Sequence, residues 1–408
     1  MLRRILVRVS LVTAVIAVPL TIYLAPSAAG TIYEVIAALA PLWLPVALAA
    51  LAVPLWLTFV QSQFMASIPY SVIELKPGPE TPRSAHAMEL VFYALYHRTD
   101  ITRAAAFFFG QLRVPWSFEV YAHAGAVRFF VYLPTAHRAS VEARIRAEYR
   151  DIDIDQVRDY AREVHFDPFS MHLEVAEFTL AKADPYPLRT YVAHENEKEH
   201  RDVFKEVLES LSDIGDNEHF FVSWVMRPHQ RERPSIFATA TDTLHDDAQV
   251  EIRKIVGSHG DTSTLNPGAK AVVAAIEAAL QKPSFDCGVR VLYLADKDHF
   301  DEVRASSLST FFAPYGDQDL NSFEAYDPRS RMGFIMRELS AAIPAFAKEY
   351  LFQLYRRRAF FAPPYFGKAF VLNTEELATV FHLPHFTRGS ALGRMRGVTL
   401  EPPDNLPL

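Results

Sequence analysis

Two long apolar runs at the N-terminus constrain the fold of this chain more than any other feature. The first covers residues 5–25 and contains one charge, Arg8; the second covers residues 35–60 and contains none. Each is long enough to cross the hydrocarbon core of a bilayer as a helix. Prolines interrupt the second run, but a membrane helix tolerates them better than an aqueous helix does. The pattern predicts a two-span membrane anchor, a transmembrane helical hairpin, over residues 1–64.

Arginines around the first run indicate how this hairpin is oriented. Arg3, Arg4 and Arg8 lie near its N-terminal end, whereas the connection between the two runs has neither lysine nor arginine. The positive-inside rule therefore places the N-terminus, and after two spans residues 65–408, in the cytoplasm. A signal peptide cleaved near "PSAAG" is the alternative for the first run, and it gives residues 65–408 the same location. The expected location is the inner (cytoplasmic) membrane.

Composition and motifs exclude several kinds of site. Cys287 is the only cysteine, so neither an intramolecular disulfide nor a cysteine-based zinc site can form. The formal net charge of −7 argues against a surface that clamps nucleic acid everywhere, although a local basic patch stays open. Neither a phosphate-binding G-x-x-x-x-G-K-[ST] pattern nor G-x-G-x-x-G nor G-x-S-x-G occurs. We therefore predict no cofactor and no enzymatic activity; a catalytic site assembled from distant residues would have no local sequence motif.

Alternating and helical patterns predict the fold of residues 65–165. Residues 68–77 alternate polar and apolar side chains and end at a proline, as a strand does. The patterns that follow are a helix at 81–98, a hairpin at 116–134, a helix at 135–149 and a strand at 152–160. This order is that of the split βαβ, or ferredoxin-like, unit.

A looser copy of the same order follows over residues 166–315. Strands are expected at 171–181, 218–228 and 285–296, and helices at 199–213, 269–283 and 297–312, around a polar insertion at 229–268. Residues 316–408 have the pattern of a helical, proline-rich C-terminal region. The predicted fold class is α+β: a transmembrane hairpin, two tandem ferredoxin-like (βαββαβ) units and a helical C-terminal region.

The segment "YRRRAFF", residues 355–361, places three arginines beside aromatic side chains. Arginines can bind phosphates and aromatic rings can stack on bases, so Arg356, Arg357 and Arg358 are candidate nucleic-acid contacts. The alternative is an amphipathic helix whose arginines face solvent or pair with acidic neighbours. A patch for anionic lipid is disfavoured because the sequence distance from the apolar runs is large.

The segment "FVLNTEELATVFHLPH", residues 370–385, combines acidic residues with histidines. Asn373 and Glu376 have the spacing of a capping box, Glu375 suits the first turn of a helix, and a proline ends the apolar stripe. A catalytic interpretation is disfavoured because the carboxylate and imidazole groups would lie on poorly matched helix faces. We instead expect a capped helix in which Asn373, Glu375, Glu376, His382 and Pro384 form a docking or hinge surface.

This last segment resembles a recurrent signature in large membrane-anchored proteins of candidate-phyla bacteria. In them, a two-span N-terminus leads to an α+β module and then to a HerA/FtsK-like ATPase of type IV secretion (conjugation) systems. The stretches "IELKPGPETPRSAHAMELVFYAL", "WSFEVYAHAGAVRFFVYLP", "RVLYLAD" and "YRRRAFFAPPY" resemble the same module. The resemblance extends from about residue 68 to the C-terminus. It implies no biochemical role for individual residues of the module.

The sequence departs from that family where the ATPase would begin. It ends at "LEPPDNLPL" and has no phosphate-binding motif of its own. The ATPase is then expected on a separate polypeptide, or the gene is split or truncated. The leading hypothesis is a non-enzymatic membrane platform that recruits this ATPase, with homo-oligomerisation implied by the resemblance because such ATPases work as rings. The alternatives are a single-stranded DNA-binding module and, least favoured, a membrane enzyme.

Overall fold

The computed structural model describes residues 37–78, 85–97, 101–195, 202–229, 243–257 and 265–384, together with Gly30 and Glu34. The chain divides into two compact units, Met1–Val60 and Gln61–Leu408. The first predicted span, at residues 5–25, lies outside the described residues. The domain boundaries predicted at residues 165 and 315 both fall inside the second unit.

The second apolar run forms one long helix, α1 (Ala40–Ser67), with Pro45 and Pro54 inside it. Its side chains are largely exposed: Leu42 and Leu55, for example, are 72% and 70% accessible. A helix that exposes apolar side chains along its length suits lipid better than water. By length and composition α1 could cross a membrane.

The strands and the remaining helices belong to the second unit. The strands are β1 (Tyr70–Pro77), β2 (Trp116–His123), β3 (Ala126–Pro134), β4 (Ile152–Val157), β5 (Met171–Leu180), β6 (Glu218–Pro228), β7 (Ser284–Asp296), β8 (Phe323–Tyr326), β9 (Phe361–Ala362), β10 (Tyr365–Phe366) and β11 (Phe370–Asn373). The helices are α2 (Ala85–Leu95), α3 (Arg103–Phe109), α4 (Arg138–Glu148), α5 (Tyr160–Glu163), α6 (Tyr191–Glu195), α7 (Val203–Ser210), α8 (Thr243–Val256), α9 (Pro267–Leu280), α10 (Glu302–Ser307), α11 (Phe334–Ala342), α12 (Pro344–Arg356) and α13 (Thr374–Val380).

Among the described residues, nine strands form one antiparallel sheet. Its order is β4-β1-β3-β2-β6-β7-β5-β8, and β11 pairs with the first residues of β7. From the centre of the sheet, the order is β2-β3-β1-β4 in one direction and β6-β7-β5-β8 in the other. The α+β class is therefore confirmed, and the matching order of the two halves agrees with the predicted repetition.

The two halves share one sheet, which the sequence did not predict. β2 pairs with β6 along its whole length, from Trp116 opposite Met226 to His123 opposite His219. Without this pairing, β2 and β6 would each be the open edge of a separate sheet, and an open edge tends to pair with another strand. The C-terminal region also departs from the prediction of a helical segment, because β8 and β11 join the main sheet. Each contains only four residues, too few for an alternating pattern to stand out.

Different elements cover the two faces of this sheet. On one face, α2, α4, α7 and α13 form a core that includes Phe118 and Trp224. On the other face, α5 and α12 pack Tyr160 and Phe352 against Phe221. Because side chains alternate along a strand, polar residues of β2, β5 and β7 that point away from the first core lie beneath α12 and the residues that follow it.

Candidate functional site

The predicted cap of the C-terminal helix is confirmed. The side-chain oxygen of Asn373 accepts hydrogen bonds from the backbone N–H groups of Glu375 (2.9 Å) and Glu376 (3.0 Å). In return, Glu376 Oε2 accepts from the backbone N–H of Asn373 at 2.9 Å. This reciprocal pair is a capping box, and it satisfies donors that the first turn would otherwise leave open.

Glu376 also joins α13 to a distant part of the chain. Its Oε1 accepts the backbone N–H of Leu188 at 2.8 Å, and its side chain is buried. Burial raises the pKa of Glu376 to about 8, although the two backbone N–H groups oppose that shift. Glu375 accepts from Lys282, which also donates to Glu89 at 2.6 Å. Both carboxylates therefore form hydrogen bonds that join α13 to other parts of the fold.

Replacing Glu376 with glutamine tests this buried carboxyl. The raised pKa of the folded state means that Glu376 stabilises the fold fully below its ordinary pKa of 4.5 and loses this contribution as the pH rises through about 8. Thermal unfolding should be followed between about pH 5 and pH 9. As the pH rises over this range, the variant should lose less stability than the unchanged protein does. At low pH the variant should be about 1–3 kcal/mol less stable, because an amide N–H then faces a backbone donor. Parallel pH profiles would contradict this assignment.

His382 and Pro384 are buried as well. His382 Nδ1 lies 2.9 Å from the carbonyl oxygen of Ala378, and its Nε2 lies 3.2 Å from a carboxylate oxygen of Asp202. Asp202 caps the start of α7, so this contact fixes α13 against that helix. The predicted docking surface would need exposed groups, and this structure instead places all five of its residues in the interior or at its margin.

The three adjacent arginines have different environments. Arg358 is 4% exposed and adopts a positive φ of 48° just after the end of α12. Arg356 donates to the backbone carbonyls of Ala161 (2.9 Å) and Val164 (2.6 Å). Arg357 is exposed and lines a cavity. Of the three, Arg357 alone combines exposure with a position on that cavity.

Arg358 is the centre of a buried polar group that we call the Arg358 cluster, formed with Glu119, Asp159, Tyr160 and Tyr355. Its guanidinium donates to both oxygens of Glu119 at 2.9 Å and to both oxygens of Asp159 at 2.7 and 2.8 Å. A further bond to the carbonyl of Arg356 uses its fifth N–H. A phosphate could bind Arg358 only if this cluster opened.

Two tyrosines complete the Arg358 cluster. The Tyr160 hydroxyl donates to Glu119 at 2.8 Å and lies 2.6 Å from the Tyr355 hydroxyl, which therefore donates to Tyr160. Burial raises the pKa of Tyr160 well above its usual value, so the hydroxyl stays protonated. Hydrogen bonds thus satisfy both oxygens of the buried Glu119 carboxylate.

A second buried group lies beneath the same C-terminal segment. In this Arg290 cluster, Arg290 of β7 binds Glu177 of β5 through Nε at 2.8 Å and donates to the carbonyl of Ala359 at 3.0 Å. The Tyr326 and Tyr365 hydroxyls each donate to Glu177 Oε2 at 2.6 Å. No sequence motif marks Glu119, Glu177 or Arg290, because each is an isolated charge between two apolar neighbours in its strand. Together, the two clusters hold residues 355–365 onto the sheet.

A cavity of about 630 Å³ opens beside the Arg358 cluster. Its lining combines the exposed Arg357 and Arg162 with aromatic rings, including Tyr70 and Tyr132, which stack with centroids 4.5 Å apart. Met65 at the end of α1 also lines it. A basic mouth with aromatic walls can hold an anionic, partly planar group. Among the described residues, no group of three or more histidine, cysteine, aspartate or glutamate side chains could hold a metal ion.

The edge of the sheet at β5 is only half covered. β8 pairs with Glu177 to Leu180, and no described strand pairs with the outer side of residues 171–176. A second cavity, of about 450 Å³, runs along this open part and is lined by Glu174, Ala176 and Tyr326. An open strand edge beside a cavity can accept an extended peptide as an added strand.

Comparison with known proteins gives one family for this arrangement. No curated protein matches the chain in sequence. The family described as "Domain of unknown function (DUF8128)" matches residues 69–388, which include every strand of the sheet and both buried clusters. The chain therefore belongs to the DUF8128 family.

Proposed function

We propose that this chain is a non-enzymatic membrane platform that holds its folded unit at the cytoplasmic face of the inner membrane and docks a separate ATPase there. The observation that carries the proposal is the half-open edge of β5, with its adjoining cavity of about 450 Å³. No described strand pairs with the outer side of residues 171–176, of which His172 and Glu174 are accessible and the other four are buried. A strand without a partner on one side can pair with another chain. The exposed Glu174 marks the middle of this edge.

Membrane anchoring is the second part of the proposal. α1 supplies one helix able to span a bilayer, and only Ile68 and Pro69 separate its last residue from the start of β1. We propose that residues 5–25 form the other span of a hairpin, with the N-terminus and residues 65–408 in the cytoplasm.

The strand order supports a finer assignment of the fold. In a ferredoxin-like unit the fourth, first, third and second strands lie side by side, and β4-β1-β3-β2 has this order. In the other half, β8-β5-β7-β6 has it again, with α8 and α9 between β6 and β7. We assign two ferredoxin-like units that are fused through their second strands.

The choice of partner in this proposal rests on the resemblance to conjugation proteins. In those proteins the α+β module precedes a HerA/FtsK-like ATPase, so an ATPase on a separate polypeptide is the partner that this platform would recruit. The open β5 edge offers it a docking site that needs no catalytic residue. A second copy of this chain could use the same edge, which is the route to homo-oligomers.

Purification of the full chain from native membranes under mild detergent tests this proposal. We expect a Walker A-containing ATPase of the HerA/FtsK class to co-purify, and its gene to lie next to the gene for this chain. Recovery of the intact chain without any such ATPase would count against the platform. The matched control is the same purification after urea unfolding, which should release the ATPase.

Single-stranded DNA binding is the second candidate, and the observation that favours it is the basic, aromatic cavity of about 630 Å³. The sheet face that an open ferredoxin-like pair would offer to DNA is covered here by α12 and residues 357–366. Arg357 is therefore the informative position, since changing Arg356 or Arg358 would also disturb the fold. Salt-sensitive binding that is lost on Arg357→Glu would favour this candidate, and absence of binding at low salt would remove it.

A further inference from the structure

The short helix α3 carries an exposed group of phenylalanines. Its sequence is "RAAAFFF", and Phe108 and Phe109 are 61% and 69% exposed. The helix is well defined at both ends: Thr102 accepts a hydrogen bond from the backbone N–H of Ala105, and Gly110 ends it with a φ of 64°. The phenylalanines are therefore held in an ordered element that presents apolar surface outward. Contiguous exposed apolar surface is a feature of interaction sites.

The residues on either side of α3 show where the helix lies in the fold. Ile101 and Gln111, which flank the helix, line a cavity of about 290 Å³ together with Phe64 of α1. The same cavity contacts Trp116 at the start of β2 and Pro228 at the end of β6. α3 thus lies at the end of the sheet where the chain enters from α1, which we call the proximal end.

Helix geometry gives the distance of Phe64 from the end of the apolar run. That run ends at Val60, and α1 continues as a helix through Phe64. Four residues at about 1.5 Å each place Phe64 roughly 6 Å along the helix from Val60. If α1 spans a bilayer, this depth is that of the headgroup region, whose polar layer adds several ångströms to each side of the hydrocarbon core.

We propose that α3 is an interfacial membrane wedge, whose Phe108 and Phe109 enter the surface of the bilayer beside the end of α1. Large apolar side chains on a short, ordered helix gain free energy by burial at the boundary between headgroups and acyl chains. Thr102 and Gln111, which bracket the helix, can stay at headgroup level. This inference rests on the proposed membrane anchoring.

Fluorescent labelling of single cysteines tests the wedge. The native Cys287 is 1% exposed, and burial raises the pKa of its thiol, so it should not react. The full chain is reconstituted into vesicles and labelled with an environment-sensitive dye after Phe108→Cys or Phe109→Cys. The matched control is Phe169→Cys, which is 75% exposed and precedes β5 at the opposite end of the sheet, roughly 40 Å away along the strands.

We expect both wedge labels to show blue-shifted emission and strong quenching by lipids that carry a nitroxide near the headgroup, and the Phe169 label to show neither. Wedge labels that stay water-like in a chain that resists carbonate extraction would overturn the wedge while the anchor stands. Labels shielded from water but not quenched by lipid would also overturn it, because a protein would then cover α3. A chain extracted by carbonate would refute the anchor, and the wedge with it.

Discussion

Replacing Arg358 with methionine is expected to destabilise the second unit by about 3–5 kcal/mol, because it leaves the carboxylate of Glu119 buried without its counter-charge. Glu119 is fully buried and receives two of its three hydrogen bonds from Arg358. Urea unfolding of the full chain in detergent, followed by near-ultraviolet circular dichroism, measures the change. The expected loss is a large part of the total stability of a typical fold.

A neighbouring arginine and a paired variant control this prediction. Arg357→Met removes the same type of side chain from an exposed position and should change the free energy of unfolding by no more than about 0.5 kcal/mol. Combining Arg358→Met with Glu119→Gln should recover much of the loss, since the remaining amide is neutral and still accepts from Tyr160. A mild effect of Arg358→Met alone would show that the cluster is open to water.

Replacing Arg290 with methionine should have a cost of the same size, about 3–5 kcal/mol, for a related reason. Arg290 and Glu177 are 2% and 0% exposed, so the unpaired carboxylate of Glu177 would have no access to water. The loss of the bond from Arg290 to the Ala359 carbonyl should also loosen residues 359–366. Hydrogen exchange of these backbone amides should therefore accelerate beyond the change in global stability.

A double variant separates the effect of the Arg290–Glu177 charge pair from that of the tyrosine hydrogen bonds to Glu177. Arg290→Met with Glu177→Gln removes both charges but leaves an oxygen that can accept from Tyr326 or Tyr365. The double variant should be more stable than Arg290→Met alone, as measured by the same urea unfolding. If the double variant is the less stable of the two, the dominant contribution of Glu177 is its bonds to the tyrosines rather than its pairing with Arg290.

Short stretches of sequence were enough to predict several elements of the fold. The capping box at Asn373 and Glu376 lies within four residues of sequence, so the spacing alone predicted the helix start. The hairpin between β2 and β3 was predicted in the same way, and its turn has positive φ at both Ala124 and Gly125, as such two-residue turns require. The apolar run at residues 35–60 likewise predicted a helix that could span a membrane.

Long-range contacts account for what the sequence did not predict. Arg356, Arg357 and Arg358 are identical in type and adjacent, yet their roles differ because α12 ends between them and the chain turns at Arg358. The partner of Arg358, Glu119, lies 239 residues earlier in the sequence. The pairing of β2 with β6 also depends on which edges the fold leaves open. No local pattern contains that information.

The fold also changes the expectation about an anionic-lipid patch at residues 355–361. The distance along the sequence between the apolar runs and residues 355–361 counted against a basic patch near the membrane. In the structure, Arg357 and Met65 line the same cavity, so the C-terminal arginines lie close to the end of α1. Sequence distance was a poor guide here because β1 brings the chain back to the C-terminal segment immediately after the helix.

Site-specific photo-crosslinking in intact cells tests the platform most directly. The photoreactive residue p-benzoylphenylalanine replaces Glu174 at the half-open β5 edge or, as the control, Asp153, which is exposed on β4 at the opposite edge of the same sheet. We predict an adduct with a HerA/FtsK-like ATPase from position 174 and none from position 153. No ATPase adduct from position 174, or equal adducts from both positions, would contradict docking at this edge.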